Sequence, residues 1–241
     1  MNKADKKIRR ETKYQIYSEP IDIFFEIAFS IDCVVFGIGK KGLQVLLIQR
    51  GAEPFKGLWA LPGDLVYPEE DLDASAIRIL HDLTSLPEID FEQVHTFGKV
   101  NRHPLGRVVT VAYYALVDIN RFSPKPSFWA EKADWHSVKS LPKLAFDHRE
   151  IIDYSYKKLQ ETAIQKPLWN NVLPSKFTLS ELQTFFETVL DTKFDKGNFR
   201  KKLDILNYVK ETDEFQSNVS HRPPRLHVFD KKSYEKYEKI K

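Results

Sequence analysis

One cysteine in 241 residues, Cys33, rules out an internal disulfide, and a reducing, cytoplasmic setting is the expectation. Cys33 lies within an apolar, strand-like run and reads as a buried structural thiol rather than a reactive one. No apolar stretch approaches the ~20 residues that a bilayer-spanning helix needs, so no membrane partner is expected. The first residues, Met1 to Lys13, are polar and charged, which argues against a secretory signal. Charge of either sign is not in excess: 37 Lys and Arg stand against 34 Asp and Glu. Any nucleic-acid contact must therefore come from a local basic cluster rather than from the overall charge.

The chain length suits two small domains. Residues 1–20 form a polar arm with a basic start (Lys3, Lys6, Lys7, Arg9, Arg10) and read as a tail. Strand-like runs follow at Ile27 to Phe36, Leu43 to Ile48 and Val108 to Val117, with a shorter one at Asp134 to His136. Helical spacing appears over Asp71 to Leu83 and His148 to Gln160. This intermixing predicts an α+β domain over 21–164. Residues 165–176 hold two prolines and little periodicity, and read as a linker anchored by Trp169 and Leu173.

The segment 177–241 opens on Thr178 and Glu181 in capping-box order, before a helix whose apolar face carries Leu182, Phe185 and Val189. Asp195 is placed to cap a second helix over Lys196 to Asn207. Phe199 and Leu203 form its inner stripe, and Lys196, Asn198, Arg200, Lys201 and Lys202 its outer side. Two short strands, Val209 to Thr212 and Leu226 to Phe229, flank a turn that holds His221, Arg222 and Arg225. Helix, helix and hairpin in this order predict a winged helix-turn-helix. Its second helix would enter the major groove of double-stranded DNA, with the wing on the backbone.

The stretch Leu58 to Leu86, LWALPGDLVYPEEDLDASAIRILHDLTSL, resembles a Nudix box. Aligning the box arginine with Arg78 puts its first glutamate on Glu70 and its first glycine on Asp64. The glutamates of the helix then fall on Ile79, Asp82 and Leu83, and the last glycine on Ser85. Nudix hydrolases use those carboxylates to hold Mg²⁺ against a diphosphate. Ile79 and Leu83 cannot ligate a metal. Glu70 and Asp82 are the remaining candidates, so the expectation is no catalytic residue, no metal and no cofactor. The alternative is an Mg²⁺-dependent hydrolase of ADP-ribose or a related nucleoside diphosphate derivative.

Further residues match positions of the Nudix substrate cleft. Arg50 ends the second strand, Trp59 lies in the box loop, and Arg102, His103 and Arg107 form a basic loop. Guanidinium forks suit a phosphate or a sugar hydroxyl, and an indole suits a base or sugar ring. These five are the expected effector-binding set.

The order of parts resembles the Nudix-related transcription regulators, in which a degenerate Nudix α/β/α sandwich precedes a winged helix. The resemblance covers about residues 25–230, most tellingly KVNRHPLGRVVTVAYYAL, LAFDH and KFTLSELQTFFETVLDTKFDKGNFRKKL. It implies a homodimer that binds an operator and a small effector: ADP-ribose in some members, sugars such as arabinose in others. The box form Arg-x-Leu-x-acid-Leu-Thr is nearer the sugar-responsive branch.

Overall fold

A computed structural model describes residues 26–204, 208–217 and 222–239. The arm at 1–20 lies outside them, as do His221 and the Lys202 side chain. The chain runs through β1 (Ala28–Gly39), β2 (Gly42–Arg50), β3 (Trp59–Ala60), β4 (Gly63–Leu65), α1 (Leu72–Thr84), β5 (Glu92–Phe97), β6 (Val108–Asp118), β7 (Ala130–Ser137) and α2 (His148–Gln165). It continues through β8 (Lys176–Thr178), α3 (Leu179–Leu190), α4 (Lys196–Asp204), β9 (Val209–Phe215), β10 (Arg225–Phe229) and α5 (Lys231–Glu238).

Strands β3-β2-β1-β6-β5 form a mixed sheet, joined by β4 on β1 and β7 on β2. Strands β1 and β6 run parallel in continuous register from Ala28↔Val108 to Ile38↔Asp118. Both are buried almost throughout, which is why they read as unbroken apolar runs. Side chains alternate across the sheet. Ile31, Cys33 and Val35 pack with Ala76, Ile79, Leu80 and Leu83 of α1 on one face. Val34 and Phe36 pack with Ile151, Ile152 and Leu159 of α2 on the other. The result is the expected helix–sheet–helix sandwich, with Cys33 buried and its thiol held far above its ordinary range, chiefly by burial.

The core on the α2 side continues into the C-terminal part. Trp169 is 1% exposed and meets the rings of Phe177 and Phe229 edge-on at 5.0 and 5.3 Å. The stretch read as a linker thus contains a packed 3-10 turn, Leu168–Asn171. Beyond it, β8-β10-β9 form a small sheet beside α3 and α4. The Thr178–Glu181 capping box is formed, with the Glu181 backbone N–H donating to Thr178 Oγ1 at 3.2 Å and Thr178 N–H donating to Glu181 Oε2 at 2.7 Å. No helix among the described residues is long and apolar enough to cross a membrane.

Candidate functional site

The box helix shows first what the Nudix half does not hold. Ile79 is 0% and Leu83 1% exposed, both inside the α1-side core. Burying each side chain stabilises the fold by ~1.5–3 kcal/mol. Glu70 is clamped by Arg78, Nε to Oε1 at 2.6 Å and Nη2 to Oε2 at 2.7 Å, with Ser75 Oγ donating at 2.7 Å. The Arg78 bonds hold its carboxyl down at about 2, with help from Ser75. Asp82 is half-exposed and 3.8 Å from Arg78. No cluster of three or more His, Cys, Asp or Glu placed to hold a metal exists among the described residues. The donor set does not fit Mg²⁺, because two positions of the box are apolar and a third carboxylate is already paired. Ser85, in place of the box glycine, ends α1 at φ 54°.

A cavity of about 540 Å³ nonetheless opens beside the box, between the start of β1, the 50–54 loop, β4, the 102–108 loop and the start of α2. Arg50, His103 and Arg107, three of the residues assigned to effector binding in the sequence analysis, line it. Arg50 donates Nε–H to the Pro54 carbonyl at 2.7 Å, and its guanidinium lies over the rings of Trp129 (4.7 Å) and Phe146 (5.0 Å). His103 stacks on Phe146 at 5.1 Å and 13°. Burial, aided by the charges of Arg102 and Arg50, lowers its pKa, so the ring is neutral at pH 7. Its Nδ1 accepts from Leu105 N–H, leaving Nε2–H as a donor. Arg107 spends Nη1 on the carbonyls of Gly98 and Lys99, at 2.7 and 3.1 Å.

Two expected effector residues are placed differently. Trp59 does not line the cavity: its side chain packs on the α2 side of the sheet, edge-on to His136 at 4.3 Å. Arg102 reaches the cavity wall, but its side chain is only 3% exposed and its Nε and Nη2 are held by carboxylates. It forks onto Asp147, Nε to Oδ2 at 2.9 Å and Nη2 to Oδ1 at 2.8 Å, and touches Asp32 Oδ2 at 3.3 Å. Asp32 also accepts from Thr110 Oγ1 at 2.8 Å and lies 3.3 Å from His148 Nε2. His148 Nδ1 accepts the Leu61 N–H at 2.8 Å, which leaves the Nε2 proton for Asp32. Burial by itself would raise the Asp32 pKa. His148, Arg102 and Thr110 together outweigh it and hold the carboxyl at about 2. Gly63 makes room for this cluster, since a Cβ there would sit 2.3 Å from Asp32 Oδ1. Arg102 is therefore a framework residue that ties the 102–108 loop to α2.

The cavity residues that the sequence reading missed are Asp32, Asp64, Trp129 and Phe146. Of these, Phe146 lies within the LAFDH stretch and Asp64 at the place of the first box glycine.

In the C-terminal part, Lys196, Asn198, Arg200 and Lys201 are exposed on α4 above buried Phe199 and Leu203. Asp195 caps the helix, accepting Asn198 N–H at 3.0 Å. Glu187 ties the preceding turn, accepting Phe194 N–H at 3.0 Å and a bond from Lys193 at 2.9 Å. Arg222 is exposed, whereas Arg225 pairs with Glu211 at 2.8 Å, so its charge is partly committed to the hairpin.

Fold and sites together define a Nudix domain followed by a winged helix-turn-helix. Comparisons with known proteins agree. Residues 28–155 match the NUDIX domain and 170–229 the NrtR DNA-binding winged helix domain. The chain is 34% identical over 211 residues to the ADPR responsive transcriptional repressor NtrR of Acinetobacter baylyi, covering 86% of this chain and 83% of the relative. It is 32% identical over 149 residues to an ADP-ribose pyrophosphatase of Methanocaldococcus jannaschii, covering 61% and 80%. The crystal structure of Shewanella oneidensis NrtR complexed with a 27mer DNA matches with TM-score 0.67 and 27% identity, over 86% of this chain and 95% of that one. The chain belongs to the family of Nudix-domain transcription regulators that carry an NrtR-type DNA-binding winged helix.

Proposed function

We propose that the chain is a cytoplasmic, dimeric transcription regulator whose Nudix domain binds an ADP-ribose-like nucleoside diphosphate sugar without hydrolysing it. The carrying observation is that Ile79 and Leu83 are core side chains while the cavity beside them persists. Water activation on a metal has no carboxylate cage there, yet Arg50, His103 and Arg107 still offer donors to a diphosphate. ADP-ribose is preferred over a free sugar because the ADPR-responsive repressor aligns along most of the chain, which outweighs the lean of the box toward the sugar branch.

On this reading Lys196, Asn198, Arg200 and Lys201 face the major groove and Arg222 the backbone, with Lys202, His221 and Arg225 as further contacts. Two copies about a two-fold axis would read a pseudo-palindromic operator. The effector would shift the balance between arrangements of the two winged helices by its differential affinity for them. The chain divides functionally at 165–176, between sensor and reader.

The test pairs two measurements. Gel shifts with DNA from the region upstream of the protein's own gene, at moderate salt, are expected to show specific binding that ADP-ribose alters. ADP-ribose incubated with the protein and Mg²⁺ is expected to be recovered intact. Turnover of about 1 per second or faster would establish the hydrolase reading instead.

A further inference from the structure

Four carboxylates among the described residues line the cavity, Glu26, Asp32, Glu53 and Asp64, and the two carried by the sheet, Asp32 and Asp64, differ in what they have left to give. Asp32 is buried, 4% exposed, and engaged by the Arg102, Thr110 and His148 side chains. Asp64 is engaged by fewer groups. It stands where the Nudix box has its first glycine, so its side chain is an addition that this chain makes to the cavity wall. Among the described residues, its Oδ1 accepts only the neighbouring Leu65 N–H at 2.8 Å, and its Oδ2 only the Trp129 indole N–H at 3.3 Å. Each carboxylate oxygen can accept about two bonds, so both retain acceptor capacity. The Trp129 ring is held beside it, with the Arg50 guanidinium over that ring.

A carboxylate next to an indole is matched to a pentose. The oxygens accept two vicinal hydroxyls, and the ring meets the sugar's C–H face. The same negative charge repels a diphosphate, which Arg50, His103 and Arg107 attract. We propose that Asp64 is the specificity-determining residue of the cavity. It accepts the vicinal hydroxyls of the effector's terminal pentose, and so separates a nucleoside diphosphate sugar from the bare nucleoside diphosphate. This rests on the effector class proposed above and adds the orientation in which that effector lies, with pentose at Asp64 and Trp129 and diphosphate toward the arginines. A site built to bond a hydroxyl discriminates strongly against a ligand lacking it, because its polar groups are then left unpaired.

Isothermal titration of the full chain with ADP-ribose and with ADP tests this in the parent, Asp64→Ala and Asp64→Asn. The parent is expected to prefer ADP-ribose. Asp64→Ala should cut that preference by about tenfold or more, the worth of a charge-assisted hydrogen bond, while ADP binds as well or better. Asp64→Asn, which keeps an acceptor for Trp129, should fall between them. Melting temperature and operator binding serve as checks on folding. An unchanged preference in both variants, or equal weakening of both ligands, overturns the role given to Asp64 and leaves the effector class standing. If the parent binds neither ligand, the effector class falls and this proposal with it.

Discussion

Helices α1 and α4 are both amphipathic, and both carry motif positions from which a function is read in the sequence. In α1 two of those positions, Ile79 and Leu83, turn inward and complete the core. In α4 the apolar pair Phe199 and Leu203 turns inward, and the cations are left outside. The contrast teaches that a motif's capacity rests on which way its side chains point. The box of α1 now contributes stability, whereas α4 keeps a surface that can act on something else.

Reversing the first half of the contrast has the largest expected effect. Ile79→Glu with Leu83→Glu restores the box carboxylates but drives them into an apolar core. An unpaired buried charge costs about 3–5 kcal/mol, so the double variant should fail to give a cooperative urea transition. A folded variant that cleaves ADP-ribose with Mg²⁺ would break the comparison.

Asp147→Ala probes the buried ion-pair cluster around Arg102. It strips the forked partner from Arg102, whose side chain is 3% exposed, and should cost roughly 3 kcal/mol in chemical denaturation. A loss below about 0.5 kcal/mol, typical of surface sites, would mean that water compensates Arg102 and the cluster is no framework.

The same cluster has a pH signature. Asp32 titrates at about 2 when folded and near ~3.9 when unfolded, so the unfolded chain binds the proton first. Its contribution, on the order of 2 kcal/mol, is complete above the unfolded value and is lost as pH falls from about 4 through about 2. Asp32→Asn should remove that part of the acid dependence, measured as urea midpoint against pH.

For α4 the expectation is the opposite of α1: binding changes and stability does not. Arg200→Ala or Arg222→Ala should leave the melting temperature in place. Loss of a base contact would cost ~1–3 kcal/mol in DNA affinity, and loss of a phosphate contact would lower the salt slope by about 1. A drop in melting temperature with unchanged DNA binding would mark these arginines as structural. The smallest effect belongs to Ser85→Gly. Relief of the left-handed backbone at φ 54° should raise stability by up to ~1 kcal/mol, visible as a shift in urea midpoint.

Much of the fold was legible. Strands β1, β2 and β6 announced themselves because burial on both faces leaves no polar alternation. Thr178 with Glu181, and Asp195, marked helix starts because capping is local. Strand β5 escaped notice: Glu92, Gln93, His95 and Thr96 sit at the sheet edge, half in water, and carry no apolar pattern. Strand β7 was read short for the same reason. The cavity was legible only in part, since Arg50, His103 and Arg107 line it while Trp59 does not and Trp129 does.

Sequence alone determined the replacement of box glutamates by Ile79 and Leu83, the alternation that assembles the sandwich, and the basic face of α4. These follow from residue type and from neighbours three or four positions away. Tertiary structure alone decided which arginines stay available. Arg50, at the end of β2, and Arg102, in the loop before β6, are the same residue type at the wall of one cavity. Arg102 lies out of water against Asp32 and Asp147, 70 and 45 positions distant along the chain. Coulomb attraction acts through space and strengthens as water is excluded, so only the folded chain could assign one guanidinium to the framework and leave the other facing the cavity.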